Sequence, residues 1–164
     1  MITFNDMDEI DENLWLGNIY AAENITELKN KGIKKILTVM NGFKPKIPLK
    51  EEFIHKQFEI KDLSNQNIIQ YFGDCLNFIK GDEKVLVHCQ AGASRSASIV
   101  IAYLMWKKRK KYDEILKLVK SKRYIVSPNF GFKEQLIAFE KVLADNDYDI
   151  DKIKFNEIKV ILPL

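Results

Sequence analysis

A chain of 164 residues, 46% hydrophobic and 30% charged, has the composition of one folded domain with a substantial core, which excludes a disordered or fibrous protein. A formal net charge of +3 is too small to argue for nucleic acid or a membrane surface, and the sequence offers no apolar run of spanning length, signal peptide or myristoylation glycine. Two cysteines, Cys75 and Cys89, make no disulfide framework, so a reducing compartment, the cytoplasm, is expected.

In chain order, residues 13–16 read as a short first strand ending at Gly17. Residues 19–31 carry apolar side chains at helical spacing and stop at Gly32, a good helix terminator. Residues 33–40 are β-branched and apolar, a buried strand closed by Asn41-Gly42. Residues 43–50, with Pro45 and Pro48, form a loop, and 53–60 alternate well enough for a third strand. Residues 67–80 line a wide helical face that includes Cys75. Gly81-Asp82 then turns the chain into an apolar strand, and helices are predicted over 96–108, 113–122 and 129–143. Strands that alternate with helices, then helices alone, predict an α/β fold: a mostly parallel central sheet of about five strands with helices on both faces. No linker divides the chain. A single domain is expected over residues 1–143, followed by a C-terminal extension, 144–164, whose Phe155, Ile158, Val160 and Leu162 suggest a short strand or a docked segment.

The chemistry concentrates in Val85-Leu86-Val87-His88-Cys89-Gln90-Ala91-Gly92-Ala93-Ser94-Arg95-Ser96. A strand runs into a tight loop and then a helix, so backbone N–H groups converge on one point and the helix dipole adds positive potential there. The same field favours a thiolate over a thiol. Arg95 supplies a planar fork able to bind two phosphate oxygens at once. Cys89 is therefore the candidate nucleophile, and the amides of Gln90, Ala91, Gly92, Ala93, Ser94 and Arg95 are the candidate phosphate cradle. Ser96 is placed to donate a hydrogen bond to the cysteine sulfur, or to cap the following helix. His88 is expected to buttress the loop by hydrogen bonds.

This stretch resembles the signature of the protein tyrosine phosphatase superfamily, and His-Cys-x-Ala-Gly-x-Ser-Arg-Ser is similar to the form in its dual-specificity branch. Glu12-Asn13-Leu14-Trp15-Leu16-Gly17-Asn18, Ala102-Tyr103-Leu104-Met105 and Ser127-Pro128-Asn129-Phe130 also resemble that branch, so the likeness spans about residues 10–142. It implies a metal-independent phosphatase without a cofactor, which hydrolyses phosphotyrosine and phosphoserine or phosphothreonine through a phosphocysteine. Phosphoprotein substrates, no nucleic acid, no membrane and a monomeric state follow as expectations.

A leaving alkoxide or phenoxide needs a proton from a group on a separate loop. Asp62, where the third strand ends, is the candidate, and the resemblance implies the same role for an aspartate at the matching place. Asp74 lies within a helical pattern and Asp82 in a turn, so both read as surface residues. The resemblance places Asn129 near the loop as a brace, with a helix N-cap as the alternative. Cys75 is expected in the core, the alternative being a disulfide partner for an oxidised Cys89. The run Lys120-Ser121-Lys122-Arg123-Tyr124 lies downstream of the nucleophile. The phosphotyrosine-recognition loop of the tyrosine-specific phosphatases lies upstream, and its absence there implies a shallower pocket that admits phosphoserine and phosphothreonine. Lys107-Lys108-Arg109-Lys110-Lys111 is read as the solvated end of a helix, with a nuclear address as the alternative. A phosphoinositide or RNA 5′-phosphatase of the same superfamily is the nearest rival reading. Lipid-directed members carry lysines in the loop, whereas positions 90 and 93 here hold Gln90 and Ala93. A phosphoprotein-binding pseudoenzyme is a second rival, and the presence of Cys89, Arg95 and Asp62 argues against it.

Overall fold

The computed structural model describes residues 4–46 and 48–164. Five strands form one sheet: β1 (Met7–Asp11), β2 (Leu14–Gly17), β3 (Lys35–Val39), β4 (Ile54–Phe58) and β5 (Val85–His88). Their spatial order is β1-β2-β5-β3-β4, with β1 antiparallel to β2 and the other pairs parallel. Because side chains alternate along a strand, Leu14, Leu16, Leu37, Val39, Val85 and Val87 face one side of the sheet, and Trp15, Ile36 and Leu86 face the other. Both sides are apolar, so both must be covered.

The larger core lies under α3 (Phe72–Ile79), α4 (Arg95–Lys108), α5 (Tyr112–Lys122) and α6 (Phe130–Asp145). The α4 helix is buried from Ser96 through Met105 and is apolar on all sides, as a helix must be when it lies between a sheet and other helices. The smaller core lies under α1 (Ile19–Glu23) and α2 (Ile25–Asn30). Central β5 delivers the Cys89 loop to the C-terminal edge of the sheet, the usual position for a site in such folds.

Local chemistry explains where the structure departs from the sequence reading. The helix expected over 19–31 is two helices, because the Asn24 side chain accepts from Glu27 N–H and starts a new one. The strand expected at 13–16 is β2, and a further strand not expected from the sequence, β1, precedes it. The acidic side chains of β1 suit a charged edge strand and hide it from a search for apolar alternation. The segment expected as one helix over 67–80 opens with a 3-10 turn, Ile69–Tyr71, before α3. The tail forms no strand. It carries 3-10 turns at Ile150–Lys152 and Phe155–Glu157, and docks. Phe155 packs on Phe139 (ring centroids 6.0 Å apart) directly over Gly73, where any β-carbon would stand 2.5 Å from the ring.

Candidate active site

The site begins behind the loop. His88 is fully buried, and its Nδ1–H donates to the Cys89 carbonyl at 3.2 Å. Its Nε2 is then the acceptor, and takes the hydroxyl proton of Thr38 at 2.7 Å. The Thr38 oxygen in turn accepts from His55 Nε2, also at 2.7 Å. Burial pushes the His88 pKa down to about 4 and lowers that of His55, so this chain of bonds runs between neutral rings.

The loop itself is held from outside by its carbonyls. Gln90 C=O accepts from Ile19 N–H at 3.1 Å, and Ala93 C=O accepts from Ser127 N–H at 2.7 Å. Arg123 is 3% exposed and serves the two carbonyls between them, with Nε on Gly92 C=O at 3.0 Å and Nη2 on Ala91 C=O at 3.2 Å. Asp8 fixes that guanidinium through Nη1 at 2.8 Å. Within one peptide unit C=O and N–H point in opposite directions. Carbonyls turned outward at four successive residues therefore turn the following amides inward, toward the Cys89 side. Gly92 is required here. Its φ is +68°, and a β-carbon would stand 2.5 Å from the Gly17 carbonyl oxygen.

Inside this cradle Cys89 is 2% exposed, and its Sγ lies 3.0 Å from Ser96 Oγ. Ser96 does not cap α4; Ser94 occupies the cap position, and the Ser96 hydroxyl faces the sulfur. Arg95 donates through Nη1 to Asn41 Oδ1 and to the Ile60 carbonyl, both at 3.1 Å. Its Nε is buried with no hydrogen-bond partner among the described residues. A buried unpartnered guanidinium N–H is costly unless a ligand meets it, and the Nε edge is the one suited to a bidentate oxyanion.

Asp62 is exposed and follows the buried Ile60. Its Oδ1 accepts from Ser94 Oγ at 2.8 Å and from Asn129 Nδ2 at 2.9 Å. Ser94 thus joins the end of the phosphate loop to the acidic side chain, a role its sequence position alone does not reveal. Asn129 caps α6, accepting from Phe132 N–H at 2.9 Å, and its amide holds Asp62 in place of bracing the loop. Its backbone N–H meets the loop through Ser94 Oγ at 3.0 Å. The strip that follows Asp62 rests on α6. Gln135 is buried and uses all of its bonding capacity there. Its Oε1 accepts from the N–H groups of Ile68 and Ile69, and its Nε2 donates to the carbonyls of Gln66 and Gly131. Gln66 Oε1 accepts from Lys61 N–H at 3.0 Å, which carries the restraint up to the residue beside Asp62. Any β-carbon on Gly131 would overlap the Ser64 carbonyl.

The folded chain therefore brings together Cys89, the loop from Gln90 to Arg95, Ser96, Asp62 and Asn129, with His88 behind. Asp74 and Asp82 are exposed elsewhere. Cys75 is fully buried in the larger core, whereas Cys89 belongs to the core on the other face of the sheet. Burial also pushes the Cys75 thiol strongly toward its neutral form. The disulfide-partner alternative for Cys75 is set aside on both grounds. Thr38, Asn41, Arg123 and Gln135 were missed by the sequence reading. Arg123 lies in a basic run, and nothing local distinguishes a buried arginine from the lysines beside it.

The family described as "Dual specificity phosphatase, catalytic domain" matches residues 14–142. Dual specificity protein phosphatase 1 of Arabidopsis thaliana is 39% identical over 142 residues, 84% of this chain and 71% of that protein. Dual specificity protein phosphatase 1B of the same plant is 38% identical over 145 residues, 86% of each. Among solved structures, the human tyrosine phosphatase-like serine/threonine/tyrosine-interacting protein superposes with a TM-score of 0.80 at 34% identity, covering 84% of this chain and 97% of that one.

Proposed function

The chain belongs to the dual specificity phosphatases, enzymes that act on phosphoproteins, and from that membership we propose that Cys89 is its nucleophile, Arg95 and the loop amides its phosphoryl clamp, Asp62 its general acid and Ser96 the donor that eases release of the thiolate. The observation that carries this reading is the unpartnered Nε of Arg95, buried beside a cradle of inward amides above Cys89.

Hydrolysis proceeds by two displacements. The Cys89 thiolate attacks phosphorus while the leaving oxygen takes the proton of Asp62, giving a phosphocysteine and an alcohol or phenol. The transition state is loose, with charge on the equatorial oxygens, and the amides and Arg95 meet that charge without reorganising. Water then attacks the phosphocysteine. The Asp62 carboxylate takes its proton, and the sulfur departs as a thiolate that accepts the Ser96 hydroxyl at the 3.0 Å contact. His88 acts through position. Its bond to the Cys89 carbonyl fixes the first residue of the loop.

No step draws on a metal, and the reading extends to a monomer that works in the cytoplasm without a nucleic-acid or membrane partner. Its substrates are phosphotyrosine and phosphoserine or phosphothreonine. Loop positions 90 and 93 give no lysines for the extra phosphates of an inositol lipid, which disfavours the phosphoinositide alternative. The test is turnover of an aryl phosphate by wild type and Cys89→Ser, each with and without a chelator. Wild-type activity should survive chelation and Cys89→Ser should have none. Activity lost on chelation and restored by Mg²⁺ or Zn²⁺, or a tenth of wild-type turnover surviving in Cys89→Ser, would overturn the mechanism.

A further inference from the structure

Nine large hydrophobic side chains are exposed among the described residues, and five of them, Phe4, Tyr20, Leu63, Tyr124 and Phe130, adjoin residues that hold the phosphate loop or Asp62, or stack on one that does. Single exposed hydrophobics are ordinary on any surface, whereas a set gathered around one polar pocket marks an interaction site. Tyr20 follows Ile19, whose N–H holds the Gln90 carbonyl. Tyr124 follows Arg123, which holds the next two carbonyls, and it stacks on Phe4 with ring centroids 5.1 Å apart over a shallow hollow. Phe130 follows Asn129 and Leu63 follows Asp62, the pair joined at the far end of the loop. Four of the five are thus one residue along the chain from a group that builds the site, so folding the site places them around it. Tyr20 and Phe130 are each 66% exposed. Nothing in the chemistry of phosphoryl transfer uses any of them.

A phosphorylated side chain seated on Cys89 draws its own backbone, and the residues on either side, across this mouth. We propose that Tyr20, the Phe4–Tyr124 stack, Phe130 and Leu63 form a recognition rim that binds apolar side chains flanking the phosphorylated residue in an extended segment of a substrate protein. The enzyme then selects phosphosites set among hydrophobic residues. This rests on the reading of the Cys89 site as a phosphatase centre. Charge favours a protein segment over a lipid surface. Asp8 is ion-paired with Arg123, but the carboxylates of Asp6 and Asp62 bond only to neutral side chains, and an anionic membrane would repel them.

The test uses two phosphotyrosine peptides of equal length and charge, one with leucines flanking the phosphotyrosine and the other with serines. Wild type should prefer the leucine peptide by about tenfold in kcat/KM, mostly through KM, since flanking contacts are made equally in the ground and transition states. The double variant Tyr124→Ser/Phe130→Ser should bring the two peptides close to parity. Tyr20→Ser, on another element, should independently lower the preference. The ratio between peptides cancels any change in the chemistry they share. Equal hydrolysis of both peptides by wild type, or an undiminished preference in the double variant, would overturn the rim and leave the phosphatase reading intact. Hydrolysis of neither peptide, nor of an aryl phosphate, would remove the phosphatase reading and the rim with it. Sedimentation of wild type with phosphatidylserine vesicles, lost in the double variant, would transfer the surface to a lipid partner.

Discussion

Asp62 is held on one carboxylate oxygen by Ser94 and Asn129, which leaves the other oxygen to serve a leaving group. Replacing it by asparagine removes the proton but leaves the cradle and Arg95 in place. Asp62→Asn should therefore lower kcat by about 10²–10⁴-fold on an alkyl ester such as phosphoserine, with KM little changed. The loss should shrink on an aryl phosphate whose phenol is acidic enough to leave unaided, and the alkaline limb of the pH–rate profile should vanish. Equal losses on both substrates with an unchanged profile would move the acid elsewhere. At this scale the residues legible in the sequence were those whose meaning is local. Cys89, Arg95 and Ser96 lie within eight residues on one strand–loop–helix turn. Asn41 and Arg123 were not legible, since each meets the loop or Arg95 across more than 30 residues of chain, a partnership created only by folding. Asn129 bears out the helix cap through its side-chain oxygen, while its amide nitrogen serves the acid and not the loop.

Between elements, the loop bearing Asp62 has little structure of its own and takes its shape from α6. Gln135 is the link, with two accepted and two donated hydrogen bonds to that strip and to its own helix. Gln135→Met keeps the volume and removes the bonds. In the folded variant the loss of kcat on phosphoserine should exceed that on an acidic aryl phosphate by about tenfold, because only the first needs the proton. A uniform loss on both would assign Gln135 a packing role alone. Element type was largely readable, because the 2-residue and 3.6-residue periods differ plainly here. Element boundaries were less so. Asn24 reads as one more polar residue in a helix until its side chain is seen to cap the next, and acidic β1 becomes a strand only by pairing with β2.

The whole molecule carries a pH dependence of its own. Two histidines are present, and His88 is neutral in the fold with its pKa pushed down to about 4, while an unfolded chain protonates it near 6.5. Between those values the unfolded state binds more protons than the folded one, so stability falls as pH drops from about 6.5 towards 4 and then levels off. The loss from His88 alone is about 3 kcal/mol, and His55, shifted the same way, adds to it. Urea unfolding between pH 7 and pH 4 should show this decline. An imidazole NMR titration should find neither ring changing charge at its ordinary midpoint, and a ring that titrates there would contradict the buried Thr38 relay. The α/β architecture and mostly parallel sheet were legible from element order, because parallel strands require crossovers. The docking of the tail was legible only as one of two options, since Phe155 fits over Gly73 through a vacancy that no local pattern records.

Covalent catalysis at Cys89 is tested most closely by acid-quenched mass spectrometry of the enzyme during turnover of an aryl phosphate. Asp62→Asn should prolong the intermediate, because the carboxylate that accepts the proton of the attacking water is gone. One phosphoryl group should appear on the peptide that contains Cys89 before steady state and be absent in Cys89→Ser. Turnover with no phosphoryl group on that peptide at any time, or with the group on another residue, would contradict covalent catalysis at Cys89.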